Sequence, residues 1–341
     1  MKLYTITNNA YGYVNTIMIK DNVIIALSEN GSNAVIELRR NKSHVLKFNK
    51  KSISTCNVEM LVHAIKSNTD NFINVFAYVF DHAIYAPGTF DKYNVTKPAF
   101  YAMFNNDLNA FIEFFKSCSS STRQTIISDH ICYDHDAKMH GVISLSTYIG
   151  MNTFCQARCK NCENAICKYC YAASLTAQRA GLKNKLRRIH AILTNVALTA
   201  MDIPKLDSNL YSYFRFESFG DINNVLQVKN YNLIAAVNSD INFTWWTKNP
   251  GIIQNAINNG MTLSKNIVIG LSSLYLNIPE IDKAQRYSFI RFLFTVYDDK
   301  FIEENNVQIN CGAKHCISCG ICYKYLHEFR HGLQLINERK K

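Results

Sequence analysis

Tyr213-Phe-Arg-Phe-Glu-Ser-Phe-Gly220-Asp221 and, twenty residues on, Ile241-Asn-Phe-Thr-Trp-Trp-Thr247 decide how this chain reads as a fold. Tyr213–Phe219 is a run of aromatic residues that stops at Gly220-Asp221, which predicts a strand and a turn. Ile222–Val237 has helical spacing, Ile241–Thr247 reads as the next strand, and Asn249-Pro250-Gly251 leads into a helix over Ile252–Asn259. Two further strands are predicted at Ile267–Leu271 and Ile290–Tyr297.

Upstream, Val142–Ile149 predicts a strand, and Tyr171–Met201 predicts helix broken at Gly181. On that helix Leu182, Leu186, Ile189, Leu193 and Val196 share one face. Strands alternating with helices make βα units. The expected fold class is therefore α/β, as an incomplete (β/α) barrel or an open parallel sheet. In either form, functional groups gather at the carboxyl ends of the strands. The loop Cys155–Cys170, the turn Gly220-Asp221 and Lys248 all fall at such ends.

Before this region the pattern differs. Tyr11–Leu27 and Ala34–Phe48 alternate apolar and polar residues like strands, with Asn30-Gly31 as a hairpin signal between them. Val58–Ile65 and Leu108–Phe115 have helical spacing, and Phe72–Phe80 resembles a buried strand. Residues 1–137 are read as a smaller α+β domain without a chemical motif, and residues 138–341 as the cysteine-rich βα domain. A chain of 341 residues has room for both.

At 48% hydrophobic and 18% charged residues, the composition supports a sizeable core and argues against extensive disorder. The N-terminus lacks a continuous apolar segment of the secretory kind, and no apolar run is long enough to span a bilayer. The expectation is a cytoplasmic protein with no membrane association. In that compartment clustered cysteines read as metal ligands or redox groups rather than disulfides. The net charge of +11 is compatible with nucleic acid or another polyanion as partner, and equally with a lysine- and asparagine-rich coding bias.

Nine of the twelve cysteines fall in two compact groups. The first is Cys155-Gln-Ala-Arg-Cys159-Lys-Asn-Cys162-Glu-Asn-Ala-Ile-Cys167-Lys-Tyr-Cys170. Thiolates are soft ligands suited to zinc or to iron–sulfur clusters. Cys159 and Cys162 with Cys167 and Cys170 could close a zinc tetrahedron, which would brace the loop. Alternatively, three thiolates hold a [4Fe–4S] cluster with one open iron, able to chelate S-adenosylmethionine and cleave it to a carbon radical. Cys155, Cys159 and Cys162 have the C-x3-C-x2-C spacing of radical S-adenosylmethionine enzymes, but Asn161 stands where an aromatic residue usually precedes the last cysteine. Cys167 and Cys170 do have that aromatic, Tyr169. They are favoured as two ligands, with the third open between Cys155, Cys159 and Cys162.

The second group is Cys311-Gly-Ala-Lys-His-Cys316-Ile-Ser-Cys319-Gly-Ile-Cys322. Its C-x2-C-x2-C run resembles the ferredoxin pattern, with Cys311 as a fourth ligand, although the ferredoxin proline is missing. Gly312 and Gly320 would let the backbone turn closely. Zinc is again the alternative, with His315, His327 or His331 as substitute ligands. Cys56, Cys118 and Cys132 lie apart and read as small buried hydrophobes.

Roughly the last two hundred residues resemble an uncharacterised phage-encoded family known as gene product eighty-eight. The resemblance runs through Lys138-Met-His-Gly141-Val-Ile-Ser144-Leu-Ser146, Cys155 and Cys167-Lys-Tyr-Cys170-Tyr171-Ala172. It continues through Arg215-Phe-Glu-Ser-Phe-Gly220-Asp221, Trp246-Thr247-Lys248 and Cys311…Cys316-Ile-Ser-Cys319-Gly-Ile-Cys322-Tyr323. Cys159 and Cys162 are additional to the family pattern. The family's general look is similar to radical S-adenosylmethionine proteins, so the resemblance implies an iron–sulfur enzyme, a phage protein working in host cytoplasm. By the same likeness Ser218, Gly220 and Asp221 would bind the methionyl amino group.

Other residues carry alternative readings. Asp221 could instead cap a helix at Ile222. Lys248 could bind a carboxylate or phosphate, and Ser272 and Ser273 a ribose, or each could be ordinary loop chemistry. Arg215 and Glu217 are candidate substrate contacts. Arg179, Lys183, Lys185, Arg187 and Arg188 form a basic run that could steer a phosphate-rich substrate or simply face solvent. Trp245 and Trp246 must face opposite sides of their strand, so one is core and the other could stack on a base or adenine.

The leading expectation is a radical S-adenosylmethionine-type enzyme with one cofactor-binding cluster, one auxiliary cluster, and a reductant protein such as a flavodoxin or ferredoxin as partner. The rivals are a non-catalytic zinc protein that binds nucleic acid, and a redox or structural iron–sulfur protein.

Overall fold

In the computed structural model, residues 101, 104–105, 107–133, 137–161, 165–323 and 332–340 are described, with backbone alone at 137 and 158–161, together with the backbone of five strands before residue 49. The chain divides into two compact units, Met1–Thr125 and Ile126–Lys341.

The first unit holds an antiparallel sheet in sequential order: β1 Lys2–Asn8, β2 Tyr13–Lys20, β3 Val23–Ser28, β4 Ala34–Leu38 and β5 His44–Phe48. Each of the stretches expected as one strand, Tyr11–Leu27 and Ala34–Phe48, is two paired strands. Helix α1, Leu108–Ser117, forms where helical spacing predicts it and buries Phe111, Phe114 and Phe115 around Phe104. Cys118 at its end is buried, as a small hydrophobe should be. Val58–Ile65, Phe72–Phe80 and Cys56 lie outside the described residues. Helix α2, Ser120–His130, spans the point of division.

The second unit is α/β, built on an open seven-stranded sheet of order β12-β11-β10-β9-β8-β7-β6. The strands are β6 Cys132–Tyr133, β7 Ile143–Leu145, β8 Tyr213–Phe216, β9 Asn242–Thr247, β10 Ile267–Ser272, β11 Ile290–Tyr297 and β12 Gln334–Arg339. All neighbours from β7 to β12 are parallel; only β6 is antiparallel. Parallel neighbours require crossovers. These carry α3 Thr153–Asn161, α4 Tyr171–Gln178 and α5 Ala180–Asn195 between β7 and β8, then α6 Val225–Val237, α7 Gly251–Asn258 and α8 Ile281–Gln285 in successive links. Helices α9 Asp299–Asn305 and α10 Cys316–Cys319 precede β12. Among the described residues no helix is long and apolar enough to cross a membrane.

Strand alternation sorts the side chains. Phe214, Phe216, Phe243 and Trp245 face one side, where Tyr231 of α6 stacks on Phe216 at 4.2 Å and meets Trp245 edge-on at 5.2 Å. On the other side Trp246, Phe292, Phe294, Val268 and Ile336 form a second apolar cluster, against which Cys311, Ile321 and Cys322 pack.

Several predicted boundaries change. Val142–Ile149 supplies only Ile143–Leu145 as strand, and a 3-10 turn at Ile149–Met151 follows. The Cys155–Cys170 loop contains α3 and a 3-10 turn, Ile166–Tyr169. The helical break falls at Arg179, not Gly181, which sits inside α5. On α5, Leu186, Ile189 and Leu193 are buried and Leu182 is half-buried. Helix α6 starts three residues after Ile222, because Asn224 accepts from the Gln227 amide and caps it. Asp221 is therefore not that helix's cap.

Candidate metal and cofactor site

A cavity of about 550 Å³ opens at the carboxyl-terminal ends of β7–β10 and is shared by both cysteine groups. Cys155, Cys167 and Cys170 line it from the first group, and Cys311, Cys316, Cys319 and Cys322 from the second. The 140 residues from Tyr171 to Asn310 separate the two groups. They meet because the first follows β7 and the second precedes β12, and both line the one cavity at the strand ends.

In the first group, Cys155 lies on α3 and Cys167 in the 3-10 turn, whose last residue precedes Cys170. Burial, with Asp221 and Cys167 nearby, pushes the Cys155 thiol far up. Cys162 and the side chain of Cys159 lie outside the described residues. The favoured pair, Cys167 and Cys170, is thus joined at the cavity by Cys155. Asn152 holds this arrangement. Its side-chain oxygen accepts from the Cys155 amide at 3.0 Å, capping α3, while its amide group donates to the Asp221 carbonyl at 2.8 Å. Replacing Asn152 by alanine is expected to cost about 1–2 kcal/mol in urea denaturation, since a cap and a buried hydrogen bond are lost together. An unchanged midpoint would contradict the link.

In the second group, α10 carries Cys316 and Cys319, and Gly320 closes it at φ 64°, a left-handed conformation that glycine adopts without strain. That turn returns the chain so that Cys322 reaches the same cavity. Gly312 has open space around it and no such constraint. Burial raises the thiols of Cys311 and Cys316 and pushes Cys322 up to about 12. Two cations oppose this. Lys138 donates to Cys311 Sγ at 3.0 Å and pairs with Glu338 at 2.5 Å, and Arg215 lowers both Cys316 and Cys322 electrostatically. Burial alone would pull the Lys138 ammonium down, but Cys311 and Glu338 together hold it above its ordinary value. His315 packs on His140 with ring centres 5.7 Å apart; His327 and His331 lie outside the described residues.

Between the two groups lies the loop after β8. Glu217 has φ 58° and ends the strand. Its carboxylate accepts from the Thr147 amide at 3.0 Å, Thr147 Oγ1 at 2.8 Å, Gln227 Nε2 at 2.6 Å and Tyr231 Oη at 2.7 Å. Burial nevertheless outweighs these donors and raises Glu217 to about 8. Gly220 passes so close that a Cβ would collide with Glu217 Oε2 and lie 2.7 Å from the Thr147 carbonyl. Asp221 accepts from Thr247 Oγ1 at 2.6 Å and from the amides of Ile222 and Lys248 at 2.7 and 2.9 Å; its burial raises its pKa. Tyr171 donates to the Ser218 carbonyl, tying the end of the first cysteine group to this loop. Lys248 Nζ lies 2.9 Å from Ser272 Oγ at the cavity wall. Ser273 instead bonds Thr295 at 2.8 Å.

The remaining sequence candidates sort as follows. Arg215, Glu217, Ser218, Gly220, Asp221, Lys248 and Ser272 all line the cavity; Arg179 and Lys183 do not. The basic run is largely committed elsewhere: Lys183 sits over the Tyr148 ring, and Lys185 donates to the Ile131 carbonyl at 2.9 Å. Arg188 is buried and donates to His130 Nε2 at 3.3 Å, while His130 Nδ1 donates to the Ile126 carbonyl at 2.7 Å. Burial, then Arg188, lowers His130 to about 3 and keeps it neutral. Cys132 is half-buried on the edge strand β6, not fully buried. Trp245 is the core tryptophan and Trp246 the cavity one. Sequence reading missed Thr147, Asn152, Gln227 and Tyr231. Only Asn152, three residues before Cys155, leaves a sequence signal, that of a helix cap.

No family model matches this chain, and neither does any curated protein or solved structure. The site's chemistry therefore rests on its own residues. Cys155, Cys170, Cys311, Cys316, Cys319 and Cys322 are free thiols. Among the described residues no group of three or more His, Cys, Asp or Glu side chains is poised to hold a metal ion. Cys155, Cys167 and Cys170 border, with polar side chains of β8–β10, a cavity large enough for an organic cofactor. Thiols are donors that zinc and iron–sulfur clusters share, and the cavity beside them has room for a small molecule.

Proposed function

We propose that this protein is an iron–sulfur enzyme of the radical S-adenosylmethionine type. The observation that carries the reading is one cavity lined by three thiols of the first cysteine group, four of the second, and the polar ends of β8–β10. Cys155, Cys167 and Cys170 would hold a [4Fe–4S] cluster, and Cys311, Cys316, Cys319 and Cys322 an auxiliary one. Such a cluster with S-adenosylmethionine supplies reductive cleavage of the sulfonium and a carbon-centred radical.

The chain's own groups have definable tasks. Asn152 fixes the cysteine-bearing helix to the Asp221 loop. Glu217, held by four donors, anchors the left-handed turn that lets Gly220 pass close to Thr147 and leaves backbone at the cavity wall. Lys248, beside Ser272, offers a cation for a ligand carboxylate. Lys138, bonded to Cys311 Sγ, offsets the negative charge of a thiolate there.

Iron and acid-labile sulfide are expected in protein purified without oxygen, and S-adenosylmethionine with a strong reductant should yield 5′-deoxyadenosine. Zinc without sulfide in a colourless sample would establish the rival zinc protein. Iron and sulfide with no 5′-deoxyadenosine, and an electron paramagnetic resonance signal unmoved by S-adenosylmethionine, would leave a redox or structural cluster protein.

A further inference from the structure

Buried polar atoms without a hydrogen-bond partner are rare, and each calls for an explanation. Here five of them gather on and beside one face of three adjacent strands. The register sets Ser144, Arg215 and Thr244 side by side on β7, β8 and β9, and Trp246 follows on the same face of β9. Among the described residues Ser144 Oγ, Arg215 Nε, Thr244 Oγ1, Trp246 Nε1 and, just beyond β8, Ser218 Oγ have no partner. Ser144, Thr244 and Ser218 are 1%, 0% and 8% exposed. Arg215, Ser218 and Trp246 line the cavity itself.

Arg215 is the centre of this group. Its guanidinium lies over the Trp246 ring, 4.1 Å from the centroid, which fixes its plane. Among the described residues its hydrogen-bond contact is Nη1 to Met139 Sδ at 3.7 Å, a weak acceptor. A guanidinium carries five donors and no acceptor, and indole N–H is a donor only. Among the described residues Arg215 has no carboxylate ion-paired to it, and a half-buried guanidinium at a cavity wall with unfilled donors describes a receptor for a planar or tetrahedral oxyanion.

We infer that Arg215, oriented by Trp246 and assisted by Ser218, binds the carboxylate or phosphate of a ligand within the cavity. The inference goes beyond the proposed reaction and does not depend on which metal the cysteines hold. Its rival is a purely electrostatic role, in which Arg215 only offsets the thiolates of Cys316 and Cys322.

The chain has two tryptophans, and Trp246 is the one at the cavity, so its emission reports on the site. Full-length protein, with its metal as isolated, is titrated with inorganic phosphate and separately with succinate, at ionic strength held constant with chloride. A saturable change with either anion is expected, in the millimolar range typical of fragment-sized ligands. Saturation by phosphate alone identifies a phosphoryl group, and by succinate alone a carboxylate. Arg215→Lys should weaken binding about tenfold, because a point charge replaces the fork, and Arg215→Gln should abolish it. Circular dichroism shows whether each variant is folded; where Arg215→Gln is not, Arg215→Lys decides. No saturable change with either anion, or equal binding by wild type and Arg215→Lys, overturns the inference and leaves Arg215 as a charge-offsetting residue.

Discussion

Glu217→Ala is expected to lower the unfolding free energy by about 3–5 kcal/mol, because it strips the acceptor from four donors at once. Tyr231 Oη, Gln227 Nε2, Thr147 Oγ1 and the Thr147 amide would all be left in a site that Glu217 itself shields from water. Tyr231→Phe removes only one of these and should cost about 1–2 kcal/mol. The same carboxyl makes stability pH-dependent. Its pKa, about 8 in the folded protein, is raised from the reference value 4.5 by burial. Its contribution to stability is therefore fully present below 4.5 and is lost as pH rises through about 8. The slope is at most about 1.4 kcal/mol per pH unit for one proton. Denaturation of wild type and Glu217→Gln at pH 5 to 8 should show the wild type losing stability that the variant does not. Parallel pH profiles would show that Glu217 is already ionised in the folded state. A loss below about 1 kcal/mol in Glu217→Ala would show that the network is not a determinant of stability.

The second large effect concerns the metal. Under the proposed reading, Cys155→Ala with Cys167→Ala and Cys170→Ala should remove about half of the iron and sulfide, since each cysteine group holds its own cluster. All 5′-deoxyadenosine formation should go with it. Under that same reading Cys159→Ala with Cys162→Ala should retain both. The reverse outcome would move the cluster to the C-x3-C-x2-C trio. Metal analysis of both variants reads the difference without any knowledge of the substrate.

Not every expected element was equally visible. The strands Ile241–Thr247, Ile267–Leu271 and Ile290–Tyr297 are buried on both faces, so their apolar runs were nearly continuous and their positions held within a residue. β12, Gln334-Leu-Ile-Asn-Glu-Arg339, escaped notice because an edge strand is half exposed and its polar residues break the apolar pattern. β6 has only two residues and no periodicity to read. Glu217 stands at a strand end and lines the cavity, but its hydrogen bonds to Tyr231 and Gln227, ten or more residues away on α6, could not be inferred from neighbours in sequence.

The sequence by itself determined that the second unit is α/β and that nine cysteines are grouped in two sets, since periodicity and spacing are local properties of the chain. Only the tertiary structure decided that the sheet stays open and that both sets face one cavity. Tertiary structure likewise placed Arg215 over the Trp246 ring at the cavity wall. Those outcomes depend on which strands become neighbours, and parallel pairing is fixed by long crossovers and burial across the whole sheet rather than by any short stretch of residues.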